Sequence, residues 1–169
     1  MNPDDPVRVL KTSHHLESLV VSELIEELQV AATMDAGARG LQFSVISVTN
    51  DVTVLGDRQI LASVVGNLLQ NAFKFTRSGG RVTLRARKTA DRVLIDVEDQ
   101  CGGLPPGKAE ELFRPFEQRG RDRTGLGLGL AVGQRGARVN GGEITVLNHP
   151  GTGCVFTVDL PRQLPLPST

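Results

Sequence analysis

Tryptophan and tyrosine are absent from this 169-residue chain, and six phenylalanines supply all of its aromatic rings. A protein that stacks single-stranded nucleic acid needs more platforms than that, and most of the six lie in core-like patterns. The two cysteines, Cys101 and Cys154, are too few for a disulfide framework and point to reduced thiols in the cytosol. Net charge is missing too: 19 Lys and Arg balance 19 Asp and Glu. A whole-domain electrostatic case for nucleic acid or a membrane surface therefore fails. No apolar run nears the roughly 20 residues that span a bilayer. The first six residues lack the basic end and apolar stretch of a secretory signal. There is no internal repeat, no Gly-x-x-x-x-Gly-Lys-Ser/Thr phosphate loop, and no glycine fingerprint placed as a dinucleotide fold requires.

What remains is one domain's length of chain, 39% apolar and 22% charged, which reads as soluble and globular. Residues 1–17 read as a polar tail with a short edge strand at Val7–Leu10. Leu19, Leu24, Ile25, Leu28 and Ala31 or Ala32 recur at helical spacing, predicting a helix from Ser18 to about Arg39, ended by Gly37 and Gly40. Leu41–Val48 and Val52–Leu55 read as strands. Asp57 reads as the N-cap of a second helix, since its carboxylate can accept from first-turn amides. Ile60, Leu61, Val64, Val65, Leu68, Leu69, Ala72 and Phe73 give that helix a broad apolar face, and Ser78-Gly-Gly80 stops it. Arg81–Arg87 and Arg92–Glu98 alternate as a hairpin. Residues 101–123 are rich in Gly, Pro and charge, with one helical piece near Lys108–Phe113. A span of that length is usually functional. Gly125–Asn140 reads as a helix, Gly142–Leu147 and Thr152–Leu160 as a last hairpin, and residues 162–169 as a tail. Irregular alternation with hairpin links favours an α/β sandwich with a mixed or mostly antiparallel sheet.

Four motifs follow one another between Asn67 and Leu130. In Asn67-Leu-Leu-Gln-Asn71-Ala-Phe-Lys74 the amides and the ammonium share one helix face beside the core. Polar groups there are costly unless engaged. An Asn71 amide oxygen suits Mg²⁺, a hard ion that takes few protein ligands, and Lys74 suits a phosphate oxygen. A plain polar helix face fits equally well. Asp99-Gln-Cys-Gly-Gly103 closes a strand; it makes a good turn, or a carboxylate that accepts from the exocyclic amine of adenine while glycine lets backbone approach the ring. Leu112-Phe113-Arg114-Pro-Phe116 and the following Arg119, Arg121 and Arg123 lie in the long loop. They are either anchors and solvated charge, or groups that shift when nucleotide or a partner docks. Thr124 precedes Gly125-Leu126-Gly127-Leu128-Gly129-Leu130 at a helix start, where free amides and the dipole favour phosphate. Glycine costs a helix about 1 kcal/mol each relative to Ala, so three in five residues need a reason. Close phosphate approach is one and a hinge for the loop is another. His14-His15, His149 and Cys101 read as ordinary surface or packing residues.

In order and spacing these motifs resemble the catalytic ATP-binding domain of bacterial two-component sensor histidine kinases, within the superfamily that includes DNA gyrase B, Hsp90 and MutL. Asn67–Lys74 is similar to the family's N box, Asp99–Gly103 to its first glycine box, Phe113–Phe116 to its F box and Gly125–Leu130 to its second glycine box. The likeness runs from about residue 20 to 161. It implies the Bergerat ATP-binding fold: α+β, a two-layer sandwich of about five strands on three helices, with an ATP lid near 104–124. It further implies that Asn71 binds Mg²⁺, that Asn67 orders the phosphate region and that Lys74 contacts phosphate. Asp99 would read the adenine amine, Gly103 would pack on the base, and Thr124, Gly125, Leu126, Gly127, Leu128 and Gly129 would line the phosphates. Phe113, Phe116 and Arg119 would belong to the lid. One departure is Cys101, where the family's first glycine box most often has glycine. The helical hairpin that carries the phosphoacceptor histidine is missing, so the chain looks like one domain of a longer kinase.

The ATPase branch of the superfamily has Glu where Asn67 stands. An amide takes no proton and is a poor general base, which argues for transfer over hydrolysis. The expected activity is transfer of the γ-phosphoryl group of Mg-ATP to a histidine on a separate dimerisation domain. A response regulator would be an indirect partner, nucleic acid would have no role, the location would be cytoplasmic, and the piece would be monomeric. Two alternatives stand beside it: a serine/threonine kinase of the anti-sigma type, which Phe113 and Phe116 disfavour, and a non-catalytic nucleotide-binding or docking module.

Overall fold

The computed structural model describes residues 15–100, 124–149 and 151–164. The expected strand Val7–Leu10, the helical piece Lys108–Phe113, and Cys101, Gly103, Phe113, Phe116 and Arg119 lie outside the described residues. In chain order the elements are β1 (Glu17–Val20), α1 (Val21–Ala38), β2 (Gln42–Ile46), β3 (Thr53–Gly56), α2 (Arg58–Phe75), β4 (Arg81–Lys88), β5 (Arg92–Glu98), α3 (Thr124–Val139), β6 (Glu143–His149) and β7 (Gly153–Pro161). Five strands form one sheet in the order β2-β4-β5-β7-β6. β2 and β4 are parallel, and the other neighbours are antiparallel. The expected mixed, mostly antiparallel five-stranded sheet under three helices is what forms.

Strand alternation decides which face the helices cover. Phe43, Val82, Leu84, Ala86, Val93, Ile95, Val97, Phe156, Val158 and Ile144 share one face through the register and make the core with α1, α2 and α3. α1 lies over β2, α2 over β4 and β5, and α3 over β6 and β7. Phe73 of α2 meets Phe43 of β2 edge to face, with centroids 5.6 Å apart, a favoured aromatic geometry. Among the described residues no helix is long and apolar enough to cross a membrane.

The opposite face carries a polar row in which Thr83 and Asp96 are buried. Asp96 of β5 is only 1% exposed. Arg87 grips it with Nε 2.6 Å from Oδ2 and Nη2 3.0 Å from Oδ1, and the Thr157 hydroxyl donates to Oδ1 at 2.7 Å. Arg85 stands 3.6 Å away, shared with Glu98. Burial pushes the Asp96 carboxyl up, but the Arg87 and Thr157 hydrogen bonds and the charges of Arg87 and Arg85 outweigh it and hold the group below the usual carboxylate range.

The first helix begins later than its periodicity suggests. Glu17–Val20 is a strand antiparallel to β3, pairing Leu19 with Val54. Val20 is extended, and the Val21 amide donates to the Val52 carbonyl at 3.0 Å. Leu19 fits a helical stripe by spacing, yet it is buried between strands. The helix also runs through Gly37 to Ala38, and Gly40 turns the chain at φ +71, which brings the Leu41 amide back to the Ala36 carbonyl at 2.9 Å. The chain past β7 is still bound: the Gln163 amide donates to Thr53 and its side chain accepts from the Ser18 hydroxyl.

Candidate functional site

α2 sets the first wall. Asp57 caps it as expected, accepting from the Ile60 amide at 3.1 Å. Leu61, Val64, Val65, Leu68, Leu69, Ala72 and Phe73 fix one face of the helix in the core. That leaves Asn67 and Asn71 half-buried at the core's edge and Lys74 exposed one turn further on. Among the described residues neither side-chain amide has a hydrogen-bond partner. Among the described residues Lys74 makes no ion pair, and its Nζ lies 5.4 Å from the centre of the Phe75 ring.

Asp99 forms the floor at the end of β5. It is 5% exposed. Its amide donates to the Cys154 carbonyl at 2.9 Å, and its Oδ1 accepts from the Cys154 amide at 3.2 Å. The carboxylate is thus tied to the first residues of β7. A side chain at Gly153 would overlap the Asp99 carbonyl oxygen, so close packing explains that glycine. Cys154 is buried, with Sγ 3.5 Å from the Asn148 oxygen. Asn148 is its register partner on β6. Asp99, Cys154 and Asn148 therefore make a polar row across three strands, on the sheet face that the helices cover.

Wall and floor meet at one end of the sheet. The Arg81 amide donates to the Gln100 side chain at 2.8 Å. A side chain at Gly80 would come within 2.6 Å of Thr76 and 3.7 Å of the Gln100 oxygen. The last turn of α2 and the residues after β5 thus converge there. α3 supplies the third wall. Its C-terminal Asn140 bonds the start of α2, and Gly136 packs on Ile60 and Val64, so the two helices run antiparallel. Seven residues back from Gly136 is Gly129, and seven on from Val64 is Asn71, each a rise of about 10 Å. The glycine-rich first turns of α3 accordingly face the half of α2 that carries Asn67, Asn71 and Lys74.

Of the residues the sequence singled out, these four and the start of α3 come together. Cys154 and Asn148 were not anticipated as neighbours of Asp99. The signal that could have found them is the hairpin register, which sets Cys154 across from Asn148 once the turn is placed. The donor set fits a nucleotide with a hard cation. No cluster of three His, Cys, Asp or Glu that could hold a metal exists among the described residues. A metal here would rely on amide oxygen plus the ligand's own phosphates and water, and the half-buried Asn71 side chain offers such an oxygen.

Residues 56–164 match the family described as histidine kinase-, DNA gyrase B-, and HSP90-like ATPase. The chain belongs to this family. Within it, this ATP-binding domain is of the sensor histidine kinase kind. It is 42% identical over 105 residues to the alginate biosynthesis sensor protein KinB of Pseudomonas aeruginosa, covering 62% of this chain and 18% of that protein. It is 33% identical over 151 residues to the sensor-like histidine kinase SenX3 of Mycolicibacterium smegmatis, covering 85% and 37%. The catalytic domain of histidine kinase ThkA superposes with a TM-score of 0.77 at 25% identity, over 87% of this chain and 95% of that one. Full-length ShkA, solved with AMPPNP, gives 0.75 at 28% identity, over 87% and 31%. The chain thus spans less than two fifths of these curated relatives' length. The docking-module and anti-sigma readings gain no support from relatives that are sensor kinases.

Proposed function

We propose that this domain binds Mg-ATP and passes the γ-phosphoryl group to a histidine on a separate dimerisation domain. The observation that carries the reading is the convergence of three groups at one end of the sheet: the amides of α2, the carboxylate after β5 and the glycine-rich start of α3. Asn71 holds the cation, Asn67 orders the phosphate region and Lys74 meets a phosphate oxygen. Asp99 accepts from the adenine amine. The amides of residues 124–129 cradle phosphate at a helix N-terminus. Gly103 packs on the base beside Cys101, and Phe113, Phe116 and Arg119 belong to a lid near 104–124. The body of the domain is 18–161, flanked by 1–17 and 162–169.

Bound Mg²⁺ would offset charge on the phosphates. The protein's own part is positioning: Lys74 and the helix amides lie where phosphate charge gathers. Asn67 takes no proton, so no side chain in this row activates water. The acceptor imidazole is the nucleophile. Its nitrogen bonds to the γ-phosphorus, the bond from that phosphorus to the bridging oxygen breaks, and ADP leaves with the electron pair. ShkA, which shares this fold, was solved with AMPPNP, and that supports the nucleotide assignment. The response regulator is served indirectly, through the phosphorylated histidine. The domain acts as a monomer in the cytoplasm.

The test is calorimetry with ATP, with and without Mg²⁺, followed by labelled ATP with an acceptor hairpin supplied in trans. Mg²⁺-dependent binding and label on the hairpin histidine are expected. A domain that binds Mg-ATP yet never labels a competent hairpin refutes the transfer step.

A further inference from the structure

Asn140 lies beyond every motif discussed so far, yet it is 5% exposed and fully engaged. Its Oδ1 accepts from the Asp57 amide at 2.6 Å, and its Nδ2 donates to the Gly136 carbonyl at 2.8 Å. One side chain thus closes the C-terminal turn of α3 and clasps the N-cap of α2. The surroundings are cut to fit it. A side chain at Gly56 would overlap the Asn140 oxygen, and one at Gly136 would stand 2.7 Å from Val64 and 3.1 Å from Ile60. The backbone after it is pinned as well, with the Gly142 amide donating to the Ala137 carbonyl at 2.9 Å.

The two helices carry opposite halves of one phosphate site, at the end away from the clasp. Asn71 lies 14 residues past Asp57, about 21 Å along α2. α3 has glycine-rich first turns that resist axial sliding poorly, because glycine brings no side chain to interlock. Buried hydrogen-bonded polar groups favour a single arrangement, and Asn140, with Oδ1 and Nδ2 each bonded, bridges both helices. We propose that Asn140 is a positioning residue: it sets the axial register of α3 against α2, and so the spacing between the α3 amides and Asn71. Asp99 belongs to the sheet and does not depend on that register. This inference rests on the nucleotide site argued above.

The two parts of the ligand separate the effects. Dissociation constants for AMPPNP with Mg²⁺ and for adenosine are measured well below the melting temperature for wild type, Asn140→Ala and Gly136→Ala. Gly136→Ala, which presses a methyl group on Val64 and Ile60 between the helices, carries the test alone if the alanine variant at 140 fails to fold. At least fivefold weaker AMPPNP binding with adenosine changed less than twofold is expected in both helix variants. A residue that only stabilises the fold lowers the melting temperature and leaves the AMPPNP-to-adenosine ratio unchanged. That unchanged ratio overturns the proposal. Wild type that binds neither ligand instead overturns the underlying site.

Discussion

Replacing Asp96 by asparagine isolates one buried charge without changing its shape. The carboxylate receives three hydrogen bonds, two from Arg87 and one from Thr157. An amide nitrogen at either oxygen position faces an Arg87 donor, so at least one charge-assisted bond is lost, worth about 1.5–3 kcal/mol. Removing one partner of a fully buried ion pair costs about 3–5 kcal/mol. Arg87 is 49% exposed, however, and water takes up part of its freed charge. The balance is about 2–3 kcal/mol, which in a domain of this size lowers the melting temperature by roughly 4–12 °C. The effect carries a pH signature. Asp96 has its folded pKa held below the unfolded value, near 3.9. Its contribution is therefore present above about pH 4 and is lost as pH falls through the folded pKa. Urea unfolding of wild type and Asp96→Asn at pH 7 and at pH 3 reads both quantities. The gap should be largest at pH 7 and shrink at pH 3. A gap below about 0.5 kcal/mol at pH 7, the ordinary size of a surface substitution, refutes the reasoning, as does a gap equal at both values. Mg-ATP affinity should not change, because Asp96 lies on the far side of the sheet.

Three further outcomes follow from the site. Asp99→Ala should weaken ATP binding about 10- to 100-fold, the size of one charge-assisted hydrogen bond; calorimetry showing less than a threefold change removes Asp99 from base recognition. Asn71→Ala should abolish the gain in ATP affinity that Mg²⁺ gives, and a preserved Mg²⁺ effect assigns the metal elsewhere. Gly153→Ala drives a methyl group into the Asp99 carbonyl between β5 and β7. Overpacking of this kind costs about 1–3 kcal/mol, so both thermal stability and ATP affinity should fall; a variant that keeps both shows that the strands part without moving Asp99.

The helix that carries Asn67 and Asn71 was legible because every signal on it is local: a capping Asp57, an apolar stripe and a Gly-Gly stop. The inward rows of β4 and β5 were equally plain from alternation. The β1–β3 pair was not. Leu19 satisfies a helical spacing, and the carbonyl that claims the Val21 amide belongs to Val52, thirty-one residues away in the chain. Asp96 looked like one more outward polar residue. Its burial comes from arginines on the neighbouring strand, which no single-strand pattern displays. Asn140 read only as the last residue of a helix. The partner that gives it a second role is the Asp57 amide, brought near only when α2 and α3 pack.

The stitch among Ser18, Thr53 and Gln163 has a bearing on how such a domain can be wired. β1 and Gln163 touch, with the Ser18 hydroxyl 2.6 Å from the Gln163 side chain. The start of β1 and the end of the described chain are therefore held side by side, and the His15 amide adds a bond to the Asp57 carboxylate at 2.9 Å. A tug on either Leu16 or Gln163 is borne by the same small patch, the β1–β3 pair and the Thr53–Gln163 bridge, and that patch lies directly upstream of the Asp57 cap. A domain cut to residues 15–163 would need only a short linker to join its ends, since neighbouring termini tolerate circular permutation.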